Sequence, residues 1–309
     1  MFLMILLAVV FVVFFAVMSN GFTLTARNIT NIISSMAITT FLTTGAAFLL
    51  ISGMLDLSMG ATGTFCGMLL AYVMRAGLPL VPAVILTLVA GALIGLANAA
   101  LVNELRIAPF IATIATSTII TGLVYILGQR RTIDITSDVL IRYGKLTLFR
   151  FVPISSLVAV VCMTIAGIVL HRTTFGRKVY SVGGNPQSAM LSGINPRKIT
   201  YVLFIICGIF ASMAGITFVA RMQSANLQGI SSLRFNGIIA AVLGGVALGG
   251  GSGGMAGAFV GMLIISIFNN GMNAIGVGPN WQNIASGMLL IFALILDYIQ
   301  KRQRLKVIA

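Results

Sequence analysis

Long apolar runs, interrupted only where glycine, proline, asparagine and charged residues cluster, leave this chain one solvent in which to fold. The run from 79 to 102, for example, holds no ionisable side chain. At about 1.5 Å per residue, such a run crosses a hydrocarbon core of roughly 30 Å as a helix. Every backbone N–H and C=O inside lipid must find an internal partner, which admits only helices or closed barrels. Barrel strands alternate apolar and polar residues over about ten positions, and these runs do not, so helices are selected. Composition agrees: 59% hydrophobic residues, 8% charged residues and a mean hydropathy of +1.09 leave too little polar surface for a water-soluble globule. The fold class is all-α, a polytopic transmembrane helical bundle forming a single domain over residues 1–309.

Breaking the sequence at those clusters predicts about ten spans, near residues 1–18, 34–53, 57–75, 79–102, 108–128, 151–171, 199–220, 236–250, 256–273 and 281–300. The first run lacks the basic flank and cleavage site of a signal peptide and reads as a membrane helix. At the tight pair around Asp56 and at the Gly-rich stretch from Gly249 to Gly257, a broken or re-entrant helix fits as well as a continuous span. Gly91 with Gly95, and Gly257 with Gly261, are small-xxx-small pairs that let helix backbones approach closely. Cys66, Cys162 and Cys207 lie inside apolar runs without paired spacing and read as packing residues.

The net charge of +14 comes from 19 Lys and Arg residues that fall almost entirely between spans. Lipid headgroups therefore explain the charge better than nucleic acid does. The loop from His171 to Lys198 holds Arg172, Arg177, Lys178, Arg197 and Lys198 and no acid. That loop and the tail with Lys301, Arg302, Arg304 and Lys306 are expected to be cytoplasmic. Alternation across an even number of spans then puts both termini in the cytoplasm. The loop from Gln129 to Phe151 opposes this, because Arg130, Arg131, Arg142, Lys145 and Arg150 nearly balance the two sides.

Within the His171–Lys198 loop, Gly183 and Gly184 predict a tight turn, Asn185 an N-cap, and Pro186 the first residue of a short helix through Leu191 that ends at Gly193. A short surface helix between basic residues has the shape of a docking element. Composition alone favours an ordinary solvated loop with interfacial Arg and Lys.

The ordered pattern of Gly176, Arg177, Gly183, Gly184, Asn185, Pro186, Ser188, Ala189, Ser192 and Gly193 resembles the cytoplasmic loop of ribose-type permeases of ATP-binding cassette importers, in the branched-chain amino acid/ribose permease superfamily. Gly53-Met-Leu-Asp-Leu-Ser-Met-Gly60 is similar to that family's Gly-Ile-Asp-Leu-Ser-Val-Gly turn, and Ala108-Pro-Phe-Ile-Ala-Thr113 to its Pro-Phe-Ile-Ala-Thr helix start. Ile239-Ala-Ala-Val-Leu-Gly-Gly245 and Phe268-Asn-Asn-Gly-Met-Asn273 resemble its last Gly-rich spans. The resemblance implies a bacterial inner-membrane permease whose loop 172–198 carries a coupling helix for separate cytoplasmic ATPase subunits. Those subunits, not this chain, would bind ATP and Mg. It also implies a second permease copy or a similar permease, an extracytoplasmic solute-binding protein, and a monosaccharide such as ribose or galactose as cargo. Relatives that carry nucleosides or branched-chain amino acids widen that range.

This division of labour agrees with the residues. No Gly-x-x-x-x-Gly-Lys-Ser/Thr phosphate loop and no metal-ligand cluster is present, and the single histidine, His171, ends a helix beside Arg172. No catalytic residue and no cofactor is expected on the chain. One departure stands out: where the family carries Glu-Leu-Asp ahead of Ile-Ala-Ala-Val, this chain reads Arg234-Phe-Asn-Gly-Ile-Ile-Ala-Ala-Val242.

Pathway candidates are polar groups on apolar spans: Asp56, Ser58, Asn98, Asn269 and Asn273. A neutral sugar is recognised through hydrogen bonds, which amides supply, although interhelical bonding is a competing role for each. Asp56, one of five acids, would either face a cavity or N-cap the following helix. An ion-coupled secondary carrier would use Asp56 as its titrating group, and a purely structural membrane component would need no pathway.

Overall fold

A computed structural model describes residues 2–148, 151–278, 280–282, 284–289, 291–292 and 294–295 of the 309-residue chain. It is a helical bundle built around two long central helices, α2 (Ala26–Ile51) and α10 (Pro196–Met222). Phe41, Phe48, Leu49 and Leu50 of α2 meet Leu203, Phe204 and Ala211 of α10 in one buried core. Around this pair stand α1 (Phe2–Met18), α3 (Met59–Arg75), α4 (Leu80–Asn103), α5 (Pro109–Leu127), α7 (Ile154–Arg172) and α12 (Met255–Ala274). Among the described residues, α2, α4, α5, α7, α10 and α12 are long and apolar enough to cross a membrane.

The small-residue pairs sit at helix contacts. Gly91 and Gly95 of α4 face Gly208 and the Phe204 carbonyl of α10, and Gly257 and Gly261 of α12 face Gly244 and Ala240. Larger side chains there would force the backbones apart, so packing rather than propensity explains glycine inside these helices.

Several boundaries differ from expectation. α2 begins at Ala26, not near residue 34, because Thr25 caps it and Asn28 is satisfied by Asn270 and the Thr23 carbonyl. The span expected over 236–250 is helical only in α11 (Asn236–Leu243), after which the chain is irregular as far as Gly254. Gly245, Gly250, Gly251 and Gly253 take positive φ there, which ends the helix and breaks the span. A second break separates α2 from α3, and the non-helical segment between them stays buried at Asp56, Leu57 and Ser58. The loop after α5 contains an amphipathic helix that was not anticipated, α6 (Asp138–Lys145), capped by Ser137 and packed through Gly144 on Ala220. Two short antiparallel pairs, Ile133–Asp134 with Ser224–Ala225 and Thr147–Leu148 with Val152–Pro153, tie this loop to the bundle. The loop after α7 holds two helices rather than one: α8 (Thr174–Gly184) and α9 (Pro186–Leu191). The span expected over 281–300 is helical where described, and the basic tail from Lys301 onward lies outside the described residues, as does Arg150.

The two ends of the bundle carry different groups. One end gathers α8, α9, the start of α10, and the end of α4, whose Asn103 donates to the Arg197 carbonyl at 3.1 Å. The start of α1 is at this end too, with Met4 against Gly245. α6, the start of α2 and the end of α12 lie at the other.

Candidate functional site

The α8–α9 element is built by caps. Thr173 accepts from Gly176 N at 3.3 Å and donates to the Val169 carbonyl at 2.6 Å, stitching α7 to α8. A side chain at Gly176 would collide with the Leu170 carbonyl, so the corner is tight. Val179 and Val182 turn into the core while Arg177, Lys178 and Ser181 stay exposed. Asn185 caps α9 as its sequence context predicts, with Oδ1 accepting from Gln187 N and Ser188 N, both at 3.0 Å. Pro186 occupies the first turn, Ser192 Oγ donates back to the Ser188 carbonyl, and Gly193 closes the helix at φ +78 with Ile194 N bonded to Ala189 O. Ala189 is buried, whereas Ser188, Met190 and Leu191 are exposed, Leu191 to 91%. Met190 and Leu191 were not singled out from the sequence, since a two-residue apolar step in a short helix carries no periodicity.

Gly183 and Gly184 do not form the expected turn; they are the last residues of α8. The reason for glycine at Gly183 is contact: an added Cβ would strike the Ile51 carbonyl at the end of α2. That same carbonyl accepts from Gly251 N at 2.8 Å, and Gly250 packs against Gly53 and the Gly183 carbonyl. The end of α8, the end of α2 and the segment leading into α12 thus meet backbone to backbone. Tyr180 adds a hydrogen bond from its hydroxyl to the Gly253 carbonyl at 2.7 Å.

Two adjoining cavities of about 780 and 670 Å³ lie at the other half of the bundle and share Gln228, Ser232, Asn236 and Ser286. Asn236, the first residue of the half-span α11, lines both cavities. Asn269 and Asn273 line the smaller cavity together with Asn270. Asn270 is engaged with Asn28 in a reciprocal amide pair at 2.8 and 3.2 Å, while Asn273 accepts from Gln282 Nε2 at 2.7 Å. Arg221 lines the smaller cavity and Arg234 the larger. Among the described residues, no acid lines either.

Asp56, Ser58 and Asn98 lie apart from these cavities in a sealed network. Asp56 Oδ1 accepts from Ser58 N at 2.7 Å and Ser58 Oγ at 2.6 Å, Asn98 Nδ2 donates to Ser58 Oγ at 2.9 Å, and Cys207 Sγ lies 3.6 Å from Asp56 Oδ2. Leu57 N donates to Thr113 Oγ1 at 3.2 Å, which joins α5 to the same knot. Ser58, not Asp56, is the N-cap residue of α3, so the carboxyl braces the turn ahead of the helix rather than capping it. All three cysteines are free, and no cluster of potential metal ligands occurs among the described residues.

The family model described as branched-chain amino acid transport system / permease component matches residues 28–294. The chain belongs to this permease family. The permease is 33% identical over 272 residues to the ribose import permease protein RbsC of Bacillus subtilis, covering 87% of this chain and 84% of that one. It is 31% identical to the D-allose transport system permease protein AlsC of Escherichia coli, with coverages of 93% and 88%. It is equally 31% identical to the autoinducer 2 import system permease protein LsrC of Photorhabdus luminescens, over 88% and 82%. No solved structure matches the chain. The resemblance drawn from the loop motifs is thereby shown, and the permease is a multi-pass helical membrane protein.

Proposed function

We propose that this permease is the membrane subunit of an ATP-binding cassette importer that moves a monosaccharide across the bacterial inner membrane. The observation that carries the reading is α9: a capped, exposed helix that projects Met190 and Leu191 from a basic surface and follows directly on α8, whose Gly183 bears on the backbone of α2. This is suited to seating in a groove of a cytoplasmic ATPase subunit, which would bind ATP and Mg. α8 and α9 would then face the cytoplasm, together with the start of α1.

The cavities at the other end would receive cargo from an extracytoplasmic binding protein. Their walls, rich in amides and hydroxyls beside Arg221 and Arg234, suit a polyhydroxylated solute, which needs many hydrogen-bond partners. Ribose, allose and autoinducer 2 appear in the names of relatives, and the first two are monosaccharides. Two permeases, identical or similar, would enclose one path, and alternation between outward-open and inward-open states would follow ATP binding and hydrolysis on the partner. An ion-coupled carrier reading is disfavoured because Asp56 is sealed away from the cavities.

The test is uptake of labelled ribose, galactose and allose into proteoliposomes containing the permease, with and without the ATPase subunits and binding protein. Uptake should require both partners and ATP. Uptake that persists without the ATPase and collapses with an ionophore rejects the importer reading. Calorimetry on the cognate binding protein would give the cargo, and a nucleoside or branched-chain amino acid ligand would reject the monosaccharide.

A further inference from the structure

A groove of about 580 Å³ runs between α7 and α12 at the α8–α9 end of the bundle. Its α7 wall is Val160, Met163, Thr164, Gly167 and Ile168, residues that recur at helical spacing, with the Thr164 hydroxyl turned back onto the Val160 carbonyl, and its α12 wall includes Phe259 and Val260. From residue 160 to residue 172 the groove follows α7 for about 18 Å, comparable to an extended acyl chain. It closes on His171 and Arg172, the last two residues of the helix. The His171 ring lies 6.1 Å from that of Tyr180, whose hydroxyl is held by Gly253, so the mouth has a braced wall. Arg172 is exposed, and Arg177 and Lys178 follow it on the outer face of α8.

An apolar trough within a membrane-crossing helix that ends in a permanent cation where the span meets water has two chemistries in order, hydrocarbon and then anion acceptor. A phospholipid has the same two in the same order. Basic pockets between membrane helices are the recurring form of anionic headgroup sites, and a guanidinium matches a phosphate in two-point geometry. A second copy of this chain is a poorer occupant, because symmetric packing would bring Arg172, Arg177 and Lys178 against their own equivalents.

We propose that this groove binds one anionic phospholipid, with an acyl chain along α7 and α12, the phosphate on Arg172, and a hydrogen bond from His171. Given the orientation argued under Proposed function, the lipid belongs to the cytoplasmic leaflet. It touches the last turn of α7 before α8 and the first turns of α12.

The full-length permease with its ATPase subunits would be reconstituted in phosphatidylcholine vesicles containing spin-labelled phosphatidylglycerol or spin-labelled phosphatidylcholine. The motionally restricted fraction of each label would be measured. Phosphatidylglycerol should be preferred. Arg172→Gln should reduce that preference about fivefold, the effect of one cationic side chain at a lipid surface. Ala256→Trp, which fills the groove, should remove the preferred component, while Val161→Trp on the outer face of α7 should leave it. Equal restriction of the two labels, or a preference that survives both Arg172→Gln and Ala256→Trp, overturns the site. So does a change in permease pairing by Ala256→Trp, seen by native mass spectrometry with lipid retention unchanged. Reduction of label in the exposed leaflet separates the two readings: a preferred lipid in the leaflet opposite the ATPase leaves the site standing and rejects the orientation.

Discussion

A carboxyl group inside a membrane bundle is expensive unless its oxygens are occupied, and Asp56 has partners on both. Its contacts come from its own turn and from α10, while Ser58 carries the connection on to Asn98 of α4. Asp56→Ala would leave the Ser58 N–H and O–H without their acceptor, at about 1–3 kcal/mol for each buried group. The expected result is a clear drop in the thermal unfolding midpoint in detergent, partly recovered in Asp56→Asn, which keeps an acceptor oxygen. Transport by the surviving folded fraction should remain ATP-dependent and insensitive to ionophore. A normal midpoint with uptake abolished would instead assign Asp56 to the transport step.

At the scale of elements, α9 is the part that local chemistry determines most completely. Asn185, Pro186 and Gly193 act on residues within a few positions of themselves, so both ends of the helix were legible in sequence. Asn185→Ala should cost about 1 kcal/mol of capping and weaken ATPase binding about fivefold in a pull-down titration, while Asn185→Asp, which caps equally well, should bind normally. Equal binding by Asn185→Ala would show that the ATPase does not read the order of α9. Other elements depended on partners that no local pattern reveals. The polar start of α2 is helical because Asn28 meets Asn270 from the far end of the chain. Gly183 reads as a turn residue in sequence, yet its cause is the Ile51 carbonyl, and the two demands on glycine look identical from composition. Asp56 and Asn269 were similar candidates as polar residues in apolar surroundings. Only tertiary packing separates the sealed network from the cavity wall.

Across the whole molecule, polar cavities occupy one half and the α8–α9 element the opposite end, with α2 and α12 reaching between them. At the cavity end, Arg234 stands on the wall ahead of α11. Arg234→Glu should change the apparent affinity for the native solute or its binding protein by about tenfold or more, equivalent to about 1.4 kcal/mol, with ATPase binding untouched. Concentration-dependent uptake in proteoliposomes measures the first, and the same pull-down titration the second. An unchanged uptake curve would remove Arg234 from the recognition surface.

The meeting of Gly183, Ile51, Gly250 and Gly251 has a mechanical consequence. Side chains at a joint act as springs, because their rotamers absorb small displacements before the backbone moves. Here main chain bears on main chain, and a fixed hydrogen bond holds two of the three segments. Such a joint has almost no backlash: a shift of α8 by a fraction of an ångström has no soft material in which to dissipate. It is delivered to the foot of α2, a rod about 39 Å long, whose far end carries Asn31, Ser35 and Thr39 in the wall of the smaller cavity.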